Sequence, residues 1–408
     1  MKRKMGAIAL SGMVVGPILG SGILIFPTLI YRQAHDWALV AWTLIAVVSY
    51  VVARIFGGLA IRFVGEAGAS SAVQAAFGSQ FKSLTSLFLV IGVLFGADAV
   101  LLTAAGYLNA ILPVSPVLIS LVLLILCALA IFSEVRVMAR VAFVLSVVSS
   151  LFLFGGALAS LVTHPRPLVF ATPFAAEQFA SSVFLLFWTV FGWEVMGNYS
   201  AEVRDPERTI PLSVLYSCLA IAAVSLTVAA AVQWSGTGAD SERTLSGTVA
   251  AAYGGAGIPI LAFLALFLCG STYILYLGGA GRLMWSLAED RVLPHLFTGR
   301  TRRGVPGVGT ALLIFANIIV LGLVQFGLFD LAGLVKIANG FLVANALLGI
   351  AAGIVLLRVL WLRIAGVVIG LFFLGLLVLD SSIFDLVMIG AATTFFGLRA
   401  YANRSRIS

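Results

Sequence analysis

Long apolar runs separated by short polar caps fill the chain from end to end. A helix that crosses a membrane needs about 20 predominantly apolar residues. Twelve runs meet that requirement, at about 6–31, 38–61, 83–111, 116–133, 137–162, 179–201, 210–233, 257–287, 308–326, 329–357, 363–380 and 383–399. No extended polar region marks a soluble domain. The longest stretch outside the spans, QWSGTGADSERTLSGTVAAAYGGAG at 233–257, has room for one short surface helix. The pattern therefore predicts one all-α integral membrane domain over 1–408, with twelve transmembrane helices.

Composition agrees. The chain is 62% hydrophobic and only 10% charged, with a mean hydropathy of +1.15, where a soluble domain carries about 25% charged residues. A net charge of +8 would suit nucleic acid only if the basic residues formed a face with interleaved polar groups. Here they sit in the caps between apolar runs, so lipid and not nucleic acid is the expected macroscopic partner. With the N-terminus placed in the cytoplasm, 19 Lys and Arg fall on the inner side and three (Arg32, Arg166, Arg243) on the outer, leaving Arg54 and Lys336 within spans. That bias follows the positive-inside rule and predicts a multi-pass protein of the cytoplasmic membrane with both termini inside. The start, MKRKMGAIAL, has the basic-then-apolar order of a signal peptide, but its apolar run is too long and no cleavage pattern follows; it reads as a retained first span. Cys127, Cys218 and Cys269 lie in separate apolar runs, and His35, His164 and His295 in separate loops. Neither set has a disulfide or metal spacing, and nothing calls for a cofactor.

Two spans contain residues that ordinary helices avoid. The first carries GPILGSGILIFP at 16–27, with three glycines and a proline close together. The sixth carries SSVFLLFWTVFGWEVMGNYSAEVRDPERTIP at 181–211, where Gly192 stands two residues before the carboxylate of Glu194. Proline removes a backbone donor and interior glycine costs roughly 1 kcal/mol against alanine. Paired interruptions in corresponding positions of two halves are the sequence mark of transporters built from inverted repeats. Each interruption exposes unpaired N–H groups and a positive dipole end, which suit a carboxylate, and unpaired carbonyls, which suit an ammonium or a sodium ion. Half-helices of about 6–17 and 23–31 are expected in span 1, with Pro17 removing a hydrogen bond at the break and Pro27 kinking the outer half. A break near 190–194 is expected in span 6.

These residues resemble a known family. GPILGSGILIFP is similar to the Gly-Ser/Thr-Gly-Ile motif in the first helix of the amino acid–polyamine–organocation (APC) superfamily, and FWTVFGWEVMGNYSAEVRDPERTIP (187–211) to its sixth helix. GEAGASSAVQAAFG (65–78) resembles the segment after the second helix, and GRLMWSLAEDRVLP (281–294) the stretch that ends the eighth. Within the superfamily, FWTVFGWE and IANGF are most similar to bacterial methionine and branched-chain amino acid exporters. The resemblance implies a LeuT-like fold of five-plus-five inverted repeats, about 6–162 and 179–357, with discontinuous helices 1 and 6 and two peripheral helices at about 363–399. It also implies that Gly20, Ser21 and Gly22 offer N–H groups to a substrate carboxylate. Ile18 and the backbone at Trp188, Thr189 and Phe191 would accept from its ammonium, while Phe191 and Trp193 border the side-chain pocket as gates. Some members carry a lysine in the fifth helix; the span VRVMARVAFVLSVVSSLFLFGGALASLVTH (135–164) has none. A cation site between helices 1 and 8 therefore stays open, with Ser271 and Thr272 as hydroxyl ligands, although adjacent hydroxyls in a helix more often bond the carbonyl one turn back.

Charges inside spans mark functional positions by default. Asp98, Glu194 and Lys336 are the candidates for coupling, and Arg54 lies close enough to the inner surface to snorkel. The expected function is secondary transport of neutral, apolar amino acids by alternating access, through export or exchange. A proton- or sodium-coupled uptake symporter for amino acids or amines is the alternative. An enzyme would need clustered His, Asp or Glu near one membrane face, a channel a filter segment or charged ring, and a receptor a signalling domain. None of these patterns is present in the sequence.

Overall fold

Polar caps become chain reversals and apolar runs become helices. The computed structural model describes residues 5–63, 68–132, 135–167, 170–194, 196–197, 200, 203–235, 244–301 and 305–404. In chain order the helices are α1 (Ala7–Leu19), α2 (Gly22–Ala34), α3 (Ala38–Arg62), α4 (Gly68–Phe77), α5 (Ser79–Asn109), α6 (Pro116–Ile131), α7 (Val135–Thr163) and α8 (Ala176–Leu186). There follow α9 (Pro206–Trp234), α10 (Leu245–Tyr253), α11 (Gly257–Glu289), α12 (Gly307–Gln325), α13 (Leu331–Leu356), α14 (Leu360–Asp380) and α15 (Ile383–Arg404). No strand occurs among the described residues, only isolated bridges such as Met5 with Val203. Among the described residues, eight segments are long and apolar enough to cross a membrane, and two shorter apolar helices cover 116–131 and 147–163.

α5 lies at the centre, packed between α11 and α13 and touched by α4, α6, α12 and α15. Its middle, Ala97 to Leu101, is fully buried. The helices at the rim show the opposite pattern. On α14 Leu360, Val368, Leu371 and Leu379 are exposed, as are Ile383, Val387 and Leu398 on α15. Apolar surface on that scale is foreign to a water-facing monomer and natural against lipid.

Helix ends depart from the pattern where capping, not hydrophobicity, decides them. The first interruption is narrower than 6–17 and 23–31 implied: α1 runs to Leu19 and α2 starts at Gly22, so only Gly20 and Ser21 are non-helical. Pro17 therefore lies inside α1 and not at the break, and Pro27 lies inside α2 without ending it. The helix expected within 233–257 is α10. It is half-covered, burying Leu245, Thr248 and Val249 while Tyr253 stacks on Phe152 of α7 at 4.4 Å. At the α2–α3 end, the Asp36 carboxylate accepts from the N–H groups of Ala171 (2.9 Å) and Thr172 (2.8 Å). The Gln233 amide donates to the Asp36 carbonyl at 2.7 Å, so three connections are knotted together there.

Candidate functional site

The two interruptions are built from different conformations. At the first, Gly20 adopts φ +21°, and α2 restarts with the N–H groups of Leu24 and Ile25 donating to the Ser21 carbonyl at 3.0 and 3.1 Å. The N–H groups before them have no partner within α2, because a helix start leaves its first donors free. The Ser21 hydroxyl is buried and has no hydrogen-bond partner. At the second, α8 ends at Leu186, Phe187–Val190 tighten into a 3-10 turn, and Phe191 is extended. Gly192 then takes φ +123°, a backbone region that costs a side-chain-bearing residue about 1–3 kcal/mol.

The interruptions touch. A Cβ placed on Gly192 would lie 2.8 Å from Cγ1 of Ile18, and one on Gly22 would lie 3.6 Å from Cγ2 of Thr189. Ile18, Gly20, Ser21, Gly22, Trp188 and Thr189 are thus brought together in a buried interior. Two aromatic rings flank Trp188 there. The Trp188 indole lies 6.2 Å from Phe26 and 6.2 Å from Tyr276, centroid to centroid. Its edge fits against α5 only because residue 96 is glycine, where a Cβ would stand 2.8 Å from the ring.

Side chains from elsewhere satisfy the second interruption. Asn339 of α13 donates its amide to the carbonyls of Phe184 (3.0 Å) and Leu185 (2.8 Å), which end α8. The Glu194 carboxylate turns back and accepts from the Gly192 N–H at 3.1 Å. The Thr189 hydroxyl donates to the Leu186 carbonyl at 2.7 Å, and the Trp188 carbonyl accepts from the Phe191 N–H at 3.2 Å. Trp193 is fully buried, with its indole N–H donating to Ser49 of α3 at 2.8 Å. Of the two aromatic gates the sequence suggests, Phe191 alone keeps exposed surface. Near the first interruption, the Tyr107 hydroxyl of α5 donates to the Leu24 carbonyl at 2.7 Å.

The charged candidates are dispersed. Asp98 is fully buried on α5. One of its oxygens accepts from the Asn317 amide of α12 at 2.8 Å. That amide also donates to the Leu94 carbonyl at 2.9 Å, and the Asn317 oxygen accepts from the Tyr273 hydroxyl of α11 at 3.2 Å. Lys336, near the start of α13, pairs with Asp380 at 3.0 Å, and Ser181 of α8 donates to the same carboxylate at 3.1 Å. Arg54 donates to the Tyr50 hydroxyl at 3.1 Å and lies over the Trp361 ring of α14. Ser271 and Thr272 both donate to the Leu268 carbonyl, each at 2.9 Å, so these hydroxyls turn back on their own helix. Among the described residues, no group of three His, Cys, Asp or Glu could hold a metal ion.

Sequence reasoning missed Phe26, Gly96, Tyr276 and Asn339. Phe26 stands four residues after Gly22 and Tyr276 four after Thr272, one helical turn from positions already singled out. Asn339 was visible only as an amide within the IANGF stretch of an apolar span. Its role, like that of Gly96, is defined by a partner on a distant helix.

The sequence profile of the amino acid permease family matches residues 5–392. An uncharacterized amino acid permease of Bacillus subtilis, YecA, is 24% identical over 367 residues, covering 88% of this chain and 86% of its own. The L-methionine/branched-chain amino acid exporter YjeH of Escherichia coli is 22% identical over 412 residues, covering 95% of both chains. The putrescine transporter PotE of Escherichia coli is 25% identical over 236 residues, 54% of this chain and 52% of its own. Among solved structures, a manganese transporter of Eremococcus coleocola, complexed with an aromatic bis-isothiourea compound, superposes with a TM-score of 0.64 at 12% identity, covering 97% of this chain and 92% of that one. At that identity the likeness concerns the fold. The chain, with its apolar helices and interrupted pair, belongs to the amino acid permease family and is a multi-pass membrane transporter, not an enzyme.

Proposed function

We propose that the protein moves neutral, apolar L-amino acids of the methionine and leucine kind across the cytoplasmic membrane by alternating access, as an exporter or exchanger. The observation that carries this reading is the contact between the two interruptions, Ile18 against Gly192 and Thr189 against Gly22, inside an aromatic enclosure. A zwitterion needs donors for one end and acceptors for the other. The N–H groups of Gly20–Gly22, beside the positive end of α2, receive the carboxylate. The backbone at Ile18, Trp188, Thr189 and Phe191 faces the ammonium, and at the second interruption Glu194 already occupies the Gly192 N–H. The substrate carboxylate is thereby directed to the first interruption. Phe26, Trp188 and Tyr276 offer an apolar lining, with Phe191 as the movable gate.

The proposed architecture has twelve spans in a single domain, repeats of about 6–162 and 179–357, two peripheral helices and cytoplasmic termini. α1–α2 and α8 with its 3-10 turn stand first in each set of five. Transport of an amine without a carboxylate is a second reading, favoured by the putrescine transporter among the relatives. Counterflow of labelled methionine, leucine, alanine and putrescine in proteoliposomes separates the two. Exchange of the first two at the highest rates is expected. Exchange of putrescine alone would replace the main reading with the second, and exchange of none would remove both.

A further inference from the structure

Asp98 lies outside the substrate enclosure and has no task in it. Its Oδ2 accepts from Asn317, whereas its Oδ1 is buried with no hydrogen-bond partner. The chain of donors runs one way, from the Tyr273 hydroxyl to the Asn317 oxygen and from the Asn317 amide to Asp98. Among the described residues no cation stands opposite Oδ1. α12 and α6 carry no charged side chain, and neither does the described part of α4. On α13 the single cation, Lys336, is held by Asp380. On α11, Arg282 and Glu289 lie more than two turns beyond Tyr273. On α15, Asp385 accepts from the Ser382 N–H of its own cap and Arg399 lies near the far end. The remaining titratable neighbours are Tyr273, Cys127 of α6 and Cys269 of α11, none of which supplies a positive charge in its ordinary neutral form.

We infer that Asp98 Oδ1 is a proton-binding site, loaded in the closed arrangement seen here and emptied when α5 and α12 separate. A buried carboxylate without a cation is an uncompensated charge in a low-dielectric interior. A proton on Oδ1 removes that charge and leaves Oδ2 free to accept from Asn317. The ionised form needs a donor or a cation at Oδ1, and the described side chains supply neither. Protonation therefore favours the closed arrangement, and by linkage closure favours protonation.

The site is wired to the substrate enclosure through two helices. Residues two apart on a helix differ by about 200°, so Gly96 faces Trp188 from one side of α5 while Asp98 faces α12 from the other. On α11, Tyr276 meets Trp188 and Tyr273, three residues earlier, ends the Asn317 chain. A Trp188 movement on substrate binding thus presses on α5, which carries Asp98, and on α11, whose Tyr273 holds the Asn317 of α12. This inference rests on the transport reading and adds the identity and place of the coupling ion.

The test uses the full chain in proteoliposomes with the amino acid that gives the fastest counterflow. If one proton moves per substrate, a pH difference of one unit drives about tenfold accumulation. Asp98→Asn is expected to keep counterflow, which needs no gradient, and to lose pH-driven accumulation altogether. Tyr273→Phe is expected to keep both and to shift the pH dependence. Wild-type accumulation that follows a sodium gradient and ignores pH would overturn the inference, as would an Asp98→Asn variant that still accumulates tenfold. A direct readout covers the case in which Asp98→Asn fails to fold or wild type shows no counterflow. The infrared spectrum of wild-type protein in lipid at neutral pH should contain a protonated-carboxyl stretch that moves in Tyr273→Phe. Absence of that band would also overturn the inference, independently of what the protein carries.

Discussion

The two interrupted helices answer the same difficulty in opposite ways. Breaking a helix inside a membrane frees backbone groups that cost several kcal/mol each if nothing satisfies them. At the second interruption the protein supplies its own partners: Asn339 for the carbonyls of Phe184 and Leu185, Glu194 for the Gly192 N–H. At the first, among the described residues, Tyr107 donates to the Leu24 carbonyl while the Ser21 hydroxyl stays unpartnered beside the start of α2. One interruption is a braced joint, and the other leaves a buried hydroxyl without a partner. On the proposed reading, residues 187–194 serve the mechanics and residues 20–22 the recognition, and the variants below test that division.

The largest test of that division is Gly192→Ala. The substitution meets both a positive φ of +123° and Ile18 at 2.8 Å, with penalties of about 1–3 kcal/mol for the backbone and about 1–3 kcal/mol for overpacking. Counterflow should fall by at least about tenfold and the melting midpoint of the purified protein should drop. Wild-type behaviour in both would mean that the joint bends elsewhere.

Asn339→Leu comes next. It keeps the volume and deprives two carbonyls of their donor, at about 1–3 kcal/mol for a buried group left unpaired. Thermal stability should decline more than substrate affinity, since Asn339 braces α8 and touches no substrate group in the proposed pose. A pure affinity loss would move Asn339 from brace to binding residue.

How much of this was legible beforehand follows the physics of each feature. Gly and Pro within an apolar run are visible in one dimension: glycines mark the interruption at 20–21 and the positive-φ turn at 192, although the second interruption already begins at 187, where α8 ends. Their extents were not legible, because α1 runs through Pro17 to Leu19 and the chain needs only two residues to turn. The braces were invisible for another reason. Asn339 lies 154 residues from Leu185, and Gly96 is a glycine on account of a tryptophan on another helix. Asp98 was visible as a charge in a span, whereas its dependence on Asn317 and Tyr273 is a property of three helices meeting. Ser271 and Thr272 show the converse: adjacent hydroxyls suggest a ligand pair, yet both donate to Leu268.

Gly22→Ala sharpens the comparison from the recognition side. Gly22 has ordinary helical geometry, and an added methyl meets Phe26 and Thr189 only at 3.6 Å, so folding should be unaffected or slightly improved. The methyl crowds the N–H groups that a carboxylate must approach. A KM about tenfold higher with an unchanged melting midpoint is expected in counterflow, and an unchanged KM would remove the carboxylate from the first interruption.

The smallest effect belongs to Lys336→Met. The Lys336–Asp380 pair joins α13 to α14, and Ser181 extends it to α8, so it looks like a third brace for the second interruption. Its exposure argues otherwise: the Lys336 side chain is 37% accessible, and pairs open to solvent contribute about 0–1 kcal/mol. Removing the cation should change counterflow by less than about fivefold, with Asp380→Asn in the same background restoring most of that loss. A loss as large as that of Gly192→Ala would place Lys336 among the groups that drive the cycle, and the braced joint would then extend as far as the peripheral helix α14.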